Sequence, residues 1–199
     1  MFKYLQHERL YCLLCFVFLS LPMALWAQNP DGGRDLSPYE LAPRVRAMRL
    51  APGEQIALDG NLNETAWERA VPATDFRQED PDNGAPATER TEVRFLFSES
   101  SLFMGVICFD SEPEALMGNT MQRDGSLSAD DRFMWTFDPN LDGTSGYSFE
   151  VNPSGAMGDG TLLLSVNTGS TERAWDGIWN ARVERTEIGW TVEIEIPFR

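Results

Sequence analysis

Residues 123–160 read RDGSLSADDRFMWTFDPNLDGTSGYSFEVNPSGAMGDG, and their alternation decides the fold class. Phe133, Trp135 and Phe137 alternate with Met134 and Thr136; Tyr147, Phe149 and Val151 alternate with Ser148 and Glu150. A period of two sends successive side chains to opposite faces, so each run predicts a strand with one apolar face. Between them, Asp138-Pro-Asn-Leu-Asp-Gly143 is a run of residues that tolerate turn geometry. Asn152-Pro153 closes the second strand, because proline cannot donate to the ladder of a central strand. The two strands are expected to form a hairpin at the centre of an antiparallel sheet.

Working outward, residues 91–97 put Val93, Phe95 and Phe97 on one face. Residues 102–109 (LFMGVICF) are apolar on both faces, as in a central strand covered on both sides. A strand is predicted at 161–166, a polar loop at 167–173, and a hairpin from 180–185 and 190–196. In its second strand Trp190, Val192, Ile194 and Ile196 alternate with Thr191, Glu193 and Glu195, the pattern of one buried and one wet face. Upstream, residues 56–67 (IALDGNLNETAW) predict a short strand at Ile56 and Leu58 and a turn at Asp59-Gly60. Asn63 reads as the N-cap of one or two helical turns, and Trp67 as a plug packed under the sandwich. Residues 77–90 form a polar loop, and 114–123 a short helix or an irregular crossing. Short strands at near-regular spacing, with one or two short helical turns, predict an all-β fold: an antiparallel β-sandwich of immunoglobulin or jelly-roll type. An open barrel is the alternative.

The chain carries 31 acidic and 16 basic residues, a net charge of −15. That excludes a nucleic-acid partner, which requires a basic footprint to displace counterions from phosphate. Residues 1–27 read as a cleaved signal peptide: Lys3 and Arg9 precede or flank an apolar stretch at 10–25, Pro22 interrupts it, and Ala27 stands before the cut. The chain is therefore expected to be exported, whether periplasmic, outer-membrane-associated or secreted. Residues 28–54, with four prolines, read as a linker, with 45–50 pairing at a sheet edge. Residues 55–199 are the folded module. Without the signal peptide, Cys108 is the sole cysteine and the only histidine, His7, is gone. No internal disulfide, histidine-assisted nucleophile or histidine-ligated metal site can form, and Cys108 reads as an inert buried thiol.

Several motifs now fall in order: Leu58-Asp-Gly-Asn-Leu-Asn-Glu-Thr-Ala-Trp67, Glu89-Arg-Thr-Glu-Val93, Arg123-Asp124, Asp130-Asp131, Gly146-Tyr147, Phe149 with Asn152-Pro153, Trp175-Asp176 with Trp179, and Gly189-Trp-Thr-Val-Glu193 with Ile196-Pro-Phe198. Together they resemble the family 9 carbohydrate-binding module, in the variant found at the N-terminus of large secreted or outer-membrane bacterial proteins. The resemblance implies a β-sandwich that binds poly- or oligosaccharide of xylan or cellulose type without catalysing its cleavage. It also implies aromatic rings around the sugar and calcium as a candidate ion. In long relatives a β-barrel region follows the module, which makes an outer-membrane barrel a candidate partner and a structural module without sugar binding the alternative function. Here the chain stops at Arg199, as a truncated or stand-alone module would.

Sugars present C–H faces that stack on aromatic rings, with polar neighbours taking the hydroxyls. Trp175 and Trp179, beside Asp176 and Asn180, are the platform candidates; core packing is the competing reading. Arg123, Asp124, Asp130 and Asp131 are the polar candidates for sugar hydroxyls, for calcium, or for pairing with one another. Asp138, Asn140, Asp142 and Gly143 match half an EF-hand loop, but Phe149 replaces the closing glutamate, so the stretch reads as a hairpin turn. Glycoside hydrolysis, the least favoured reading, needs two carboxylates at a set separation, and nothing in the sequence singles out such a pair.

Overall fold

The structure, a computed structural model, describes residues 11–12, 43–165 and 168–198. Two five-stranded sheets face each other. One runs β1-β5-β6-β7-β8, built from Tyr11–Cys12 (β1), Arg132–Phe137 (β5), Ser145–Val151 (β6), Met157–Ser165 (β7) and Thr168–Glu172 (β8). The other runs β2-β3-β4-β10-β9, from Met48–Arg49 (β2), Thr91–Phe97 (β3), Ser101–Phe109 (β4), Asn180–Thr186 (β9) and Gly189–Pro197 (β10). The arrangement is the expected all-β sandwich. The remainder of 1–27 and residues 28–42 lie outside the described residues, so the expected signal peptide is represented only by Tyr11–Cys12, which pairs parallel with β5.

The organising hairpin forms as its alternation requires. Phe133, Trp135 and Phe137 of β5 stand opposite Val151, Phe149 and Tyr147 of β6. The turn is closed by its own carboxylates: Asp138 accepts the N–H groups of Asn140 and Gly143, and Asp142 those of Thr144 and Ser145. Facing this hairpin, β4 is the middle strand of its sheet. Val93, Val106 and Val192 form one cross-strand row, and all three are fully buried. Trp179 and Trp190 complete this core, and Cys108 lies buried within it.

Both faces of β4 are covered, as its sequence demanded. On the far side, Leu96 and Phe103 pack with Trp67, Ala66, Ala70 and Leu50 into a second, smaller cluster. A single helical turn, Thr65–Arg69 (α1), carries the Trp67 plug. Gly105 makes room for it: a Cβ there would stand 2.7 Å from Leu62 Cδ2 and 2.9 Å from the Trp67 ring.

Five local expectations change. Ile56 and Leu58 form no strand, because the segment docks through hydrogen bonds to a side chain rather than to a strand edge. The helix is capped by Glu64, not Asn63, and with no side-chain hydrogen bond. The strand expected at 161–166 begins earlier, at Met157, and the polar loop expected at 167–173 is largely strand β8, paired with β7. The expected wet face of β10 is covered: Glu193 is fully buried, accepting the N–H groups of Asp59 and Gly60 at 2.9 and 3.0 Å and Trp67 Nε1 at 2.9 Å. Thr191 Oγ1 donates to Gly60 O at 2.6 Å on the same face. Burial pushes the Glu193 carboxyl up; these hydrogen bonds pull it back without cancelling the rise, and the nearby Glu64 carboxylate adds to it.

Candidate functional site

The inward column of the β5–β8 sheet runs past the core that should cover it. Phe149 on β6 is 4% exposed, whereas Tyr147, two residues away on the same face, is 37% exposed. Trp175, in the loop leading to β9, folds onto this end. Its ring lies 4.6 Å from that of Tyr147, centroid to centroid, and meets Phe149 edge-on at 5.9 Å. Gly177 permits this fold, since a Cβ there would stand 2.8 Å from Trp175 Cη2 and 3.3 Å from Phe149 Cε1. The result is a half-buried aromatic pair open to solvent.

Beneath and beside the pair lies a charged network. Arg123 Nη2 donates to Asp159 Oδ2 at 2.6 Å, and the same oxygen accepts Trp179 Nε1. Asp159 Oδ1 accepts the Gly177 N–H at 3.3 Å. Asp124 adopts a positive φ of 58°, a conformation that aspartate tolerates better than most residues. From it, Asp124 accepts the Asp159 N–H at 3.3 Å and faces Arg123 at 3.6 Å, with Asp176 at 3.9 Å.

Four of the expected site residues thus converge on one region: Trp175, Trp179, Arg123 and Asp124. Their roles divide. Trp175 reaches the surface. Trp179 is 5% exposed and packs edge-on against Trp135 and Phe149, so its ring belongs to the core and presents no face to a ligand. Asp130 and Asp131 sit in a different network. Asp130 is buried and accepts the N–H groups of Asn119 and Thr120 at 3.0 and 2.9 Å and the Asn152 amide at 2.9 Å. Burial alone would raise its carboxyl, but these donors more than offset that and hold it below its ordinary range. Asp131 accepts the Met117 N–H at 2.7 Å. Asn152 also bonds Thr120 O and, through Oδ1, the N–H groups of Ser154 and Ala156. These residues knot the 113–131 crossing to the end of β6. Among the described residues, no group of three or more His, Cys, Asp or Glu could hold a metal ion.

Two residues of the site escaped the sequence. Tyr147 was one more inward residue of a strand, and nothing in the alternation told its exposed ring from the buried Phe149. Asp159 fell outside the strand expected at 161–166; continuing the alternation back through Thr161 would have marked an acid at an inward position.

No protein-family model and no curated protein matches the sequence. Solved structures do. A family 9 carbohydrate-binding module from Caldicellulosiruptor kristjanssonii in complex with cellotriose aligns at TM-score 0.51 and 12% identity, over 77% of this chain and 68% of that one. The fold is CBM9-like. A CBM9 structure from the same organism in complex with glucose aligns at TM-score 0.48 and 14% identity, over 77% of this chain and 69% of that one. At such identities the likeness to CBM9 is one of fold.

Proposed function

We propose that this chain is a non-catalytic carbohydrate-binding module whose site is the Tyr147–Trp175 pair with Arg123 beside it. The observation that carries the reading is the exposed aromatic pair, 4.6 Å apart, at the edge of a charged network. The C–H face of a pyranose stacks on such rings, Arg123 donates to its hydroxyls, and Asp176 and Asp124 accept from them. The CBM9-like fold supports this reading, and so does the cellotriose bound in the structure that shares it. The glycan class we propose is neutral, of xylan or cellulose type, encountered outside the cytoplasm after export through residues 1–27. Isothermal titration against soluble xylan and cello-oligosaccharides tests it. Saturable heat with at least one of them is expected, and a folded protein that gives none with any would reject the reading. A parallel assay for reducing-sugar release is expected to stay at background; sustained release would make the chain a hydrolase instead.

A further inference from the structure

One buried carboxylate holds two separate stretches of chain around this site, at Arg123 and at 177–179. The Asp159 side chain, on β7, has no exposed surface. It holds Arg123 through Nη2, Trp179 through its indole N–H and Gly177 through its backbone N–H. Gly177 in turn seats the Trp175 ring, which lies across the glycine so closely that an added Cβ would be 2.8 Å from Cη2 and 3.0 Å from Cζ3. Where Gly177 is held, the ring is held. The Arg123 guanidinium closes the circuit with a longer 3.5 Å contact from Nη2 to Gly177 O. It stays 41% exposed, with a fork of five N–H donors of which only part is engaged below.

We propose that Asp159 is the positioning residue of the site. The proposal rests on the reading of Tyr147–Trp175 as the sugar platform. Asp159 lies below the surface and touches no ligand, yet it fixes the Trp175 ring and the Arg123 donors relative to each other. A site performs only when its contacting groups are locked by the layer beneath them. Asp159→Asn keeps the size but turns an NH2 group toward donors that now find an acceptor. At least one of those bonds is lost, and with it the register between ring and guanidinium.

Titration with cellotriose tests this on the wild type, Asp159→Asn, Gly177→Ala and the double variant, each first checked for folding by circular dichroism and thermal melting. Gly177→Ala displaces the ring while leaving the carboxylate intact. Each single change is expected to weaken binding about tenfold or more, and the double variant to bind about as weakly as Asp159→Asn alone, because both act through one ring. Wild-type affinity in Asp159→Asn, or losses that simply add in the double variant, would overturn the proposal. Should Asp159→Asn not fold, Gly177→Ala carries the test: a folded variant of unchanged affinity overturns it. A wild type that gives no heat with cellotriose, xylan or cello-oligosaccharides sinks the platform reading itself. That outcome is distinct from a platform that works without Asp159.

Discussion

Three tryptophans separate the parts of the molecule. Trp179→Ala empties a buried ring site and leaves Asp159 without one of its donors, so a cost of about 3–5 kcal/mol is expected. Trp67→Ala should cost a similar amount, about 3–5 kcal/mol, and orphan part of Glu193. Trp175→Ala leaves the core closed; its melting temperature should fall far less than theirs while glycan affinity drops by about 1–3 kcal/mol. Melting curves beside titrations distinguish the three, and a collapse of stability in Trp175→Ala would place that ring in the core too. Two buried acids make opposite pH signatures. Glu193 titrates above its ordinary 4.5, so the folded state holds its proton where the unfolded chain has lost it. Its contribution is full below that ordinary value and is lost as pH rises through the folded value. Asp130 lies below its ordinary 3.8, so its contribution is present above that value and is lost as pH falls. Stability measured by urea unfolding across acid to neutral pH should therefore show Glu193→Gln gaining on the wild type as pH rises and Asp130→Asn gaining as pH falls. The reverse order would mean that the environments of the two acids are misassigned. The sequence offered both acids as polar residues on or beside strands. Nothing local told a covered glutamate from a solvated one, because the cover comes from residues 56–70, more than a hundred positions away.

That segment shows where local pattern stops deciding an element. The period of two in β5, β6 and β10 and the doubly apolar β4 were legible because alternation is local. The missing strand at Ile56 and Leu58, the shifted cap of α1 and the strand nature of β8 were not. A helix of five residues is set by what it packs against rather than by its cap, and a polar edge strand such as TGSTE carries no apolar face to read. The docking of α1 onto the sheet depends on one absent side chain. Gly105→Ala inserts a Cβ at 2.7–2.9 Å from Leu62 and Trp67, and should cost about 1–3 kcal/mol through overpacking while leaving glycan affinity intact. Chemical denaturation with titration in parallel reads both. A neutral Gly105→Ala would mean that the plug sits more loosely than its contacts imply.

In the molecule as a whole, two sheets share one core, a plug seals the outer face of one sheet, and the inward face of the other runs on past its cover. The exposed remainder carries Tyr147, Trp175 and the Arg123–Asp159 network, while Asp130 and Asp131 serve the crossing that leads into the hairpin. The ordered motifs therefore mark two kinds of place. Most are structural joints, such as Asp59-Gly60 and Trp67 on Glu193, or Asp130 on Asn152. Only the Arg123-Asp124, Gly146-Tyr147 and Trp175-Asp176 motifs reach the surface end. A glycan is expected to bind at that end and nowhere else on the sandwich. The most direct measurement follows the tryptophan indole N–H resonances in a proton–nitrogen correlation spectrum during titration with cello- and xylo-oligosaccharides. The expected result is a saturable shift of the Trp175 signal, with Trp67, Trp135 and Trp190 unmoved. Saturable shifts confined to signals other than Trp175, or none with any oligosaccharide, would contradict it.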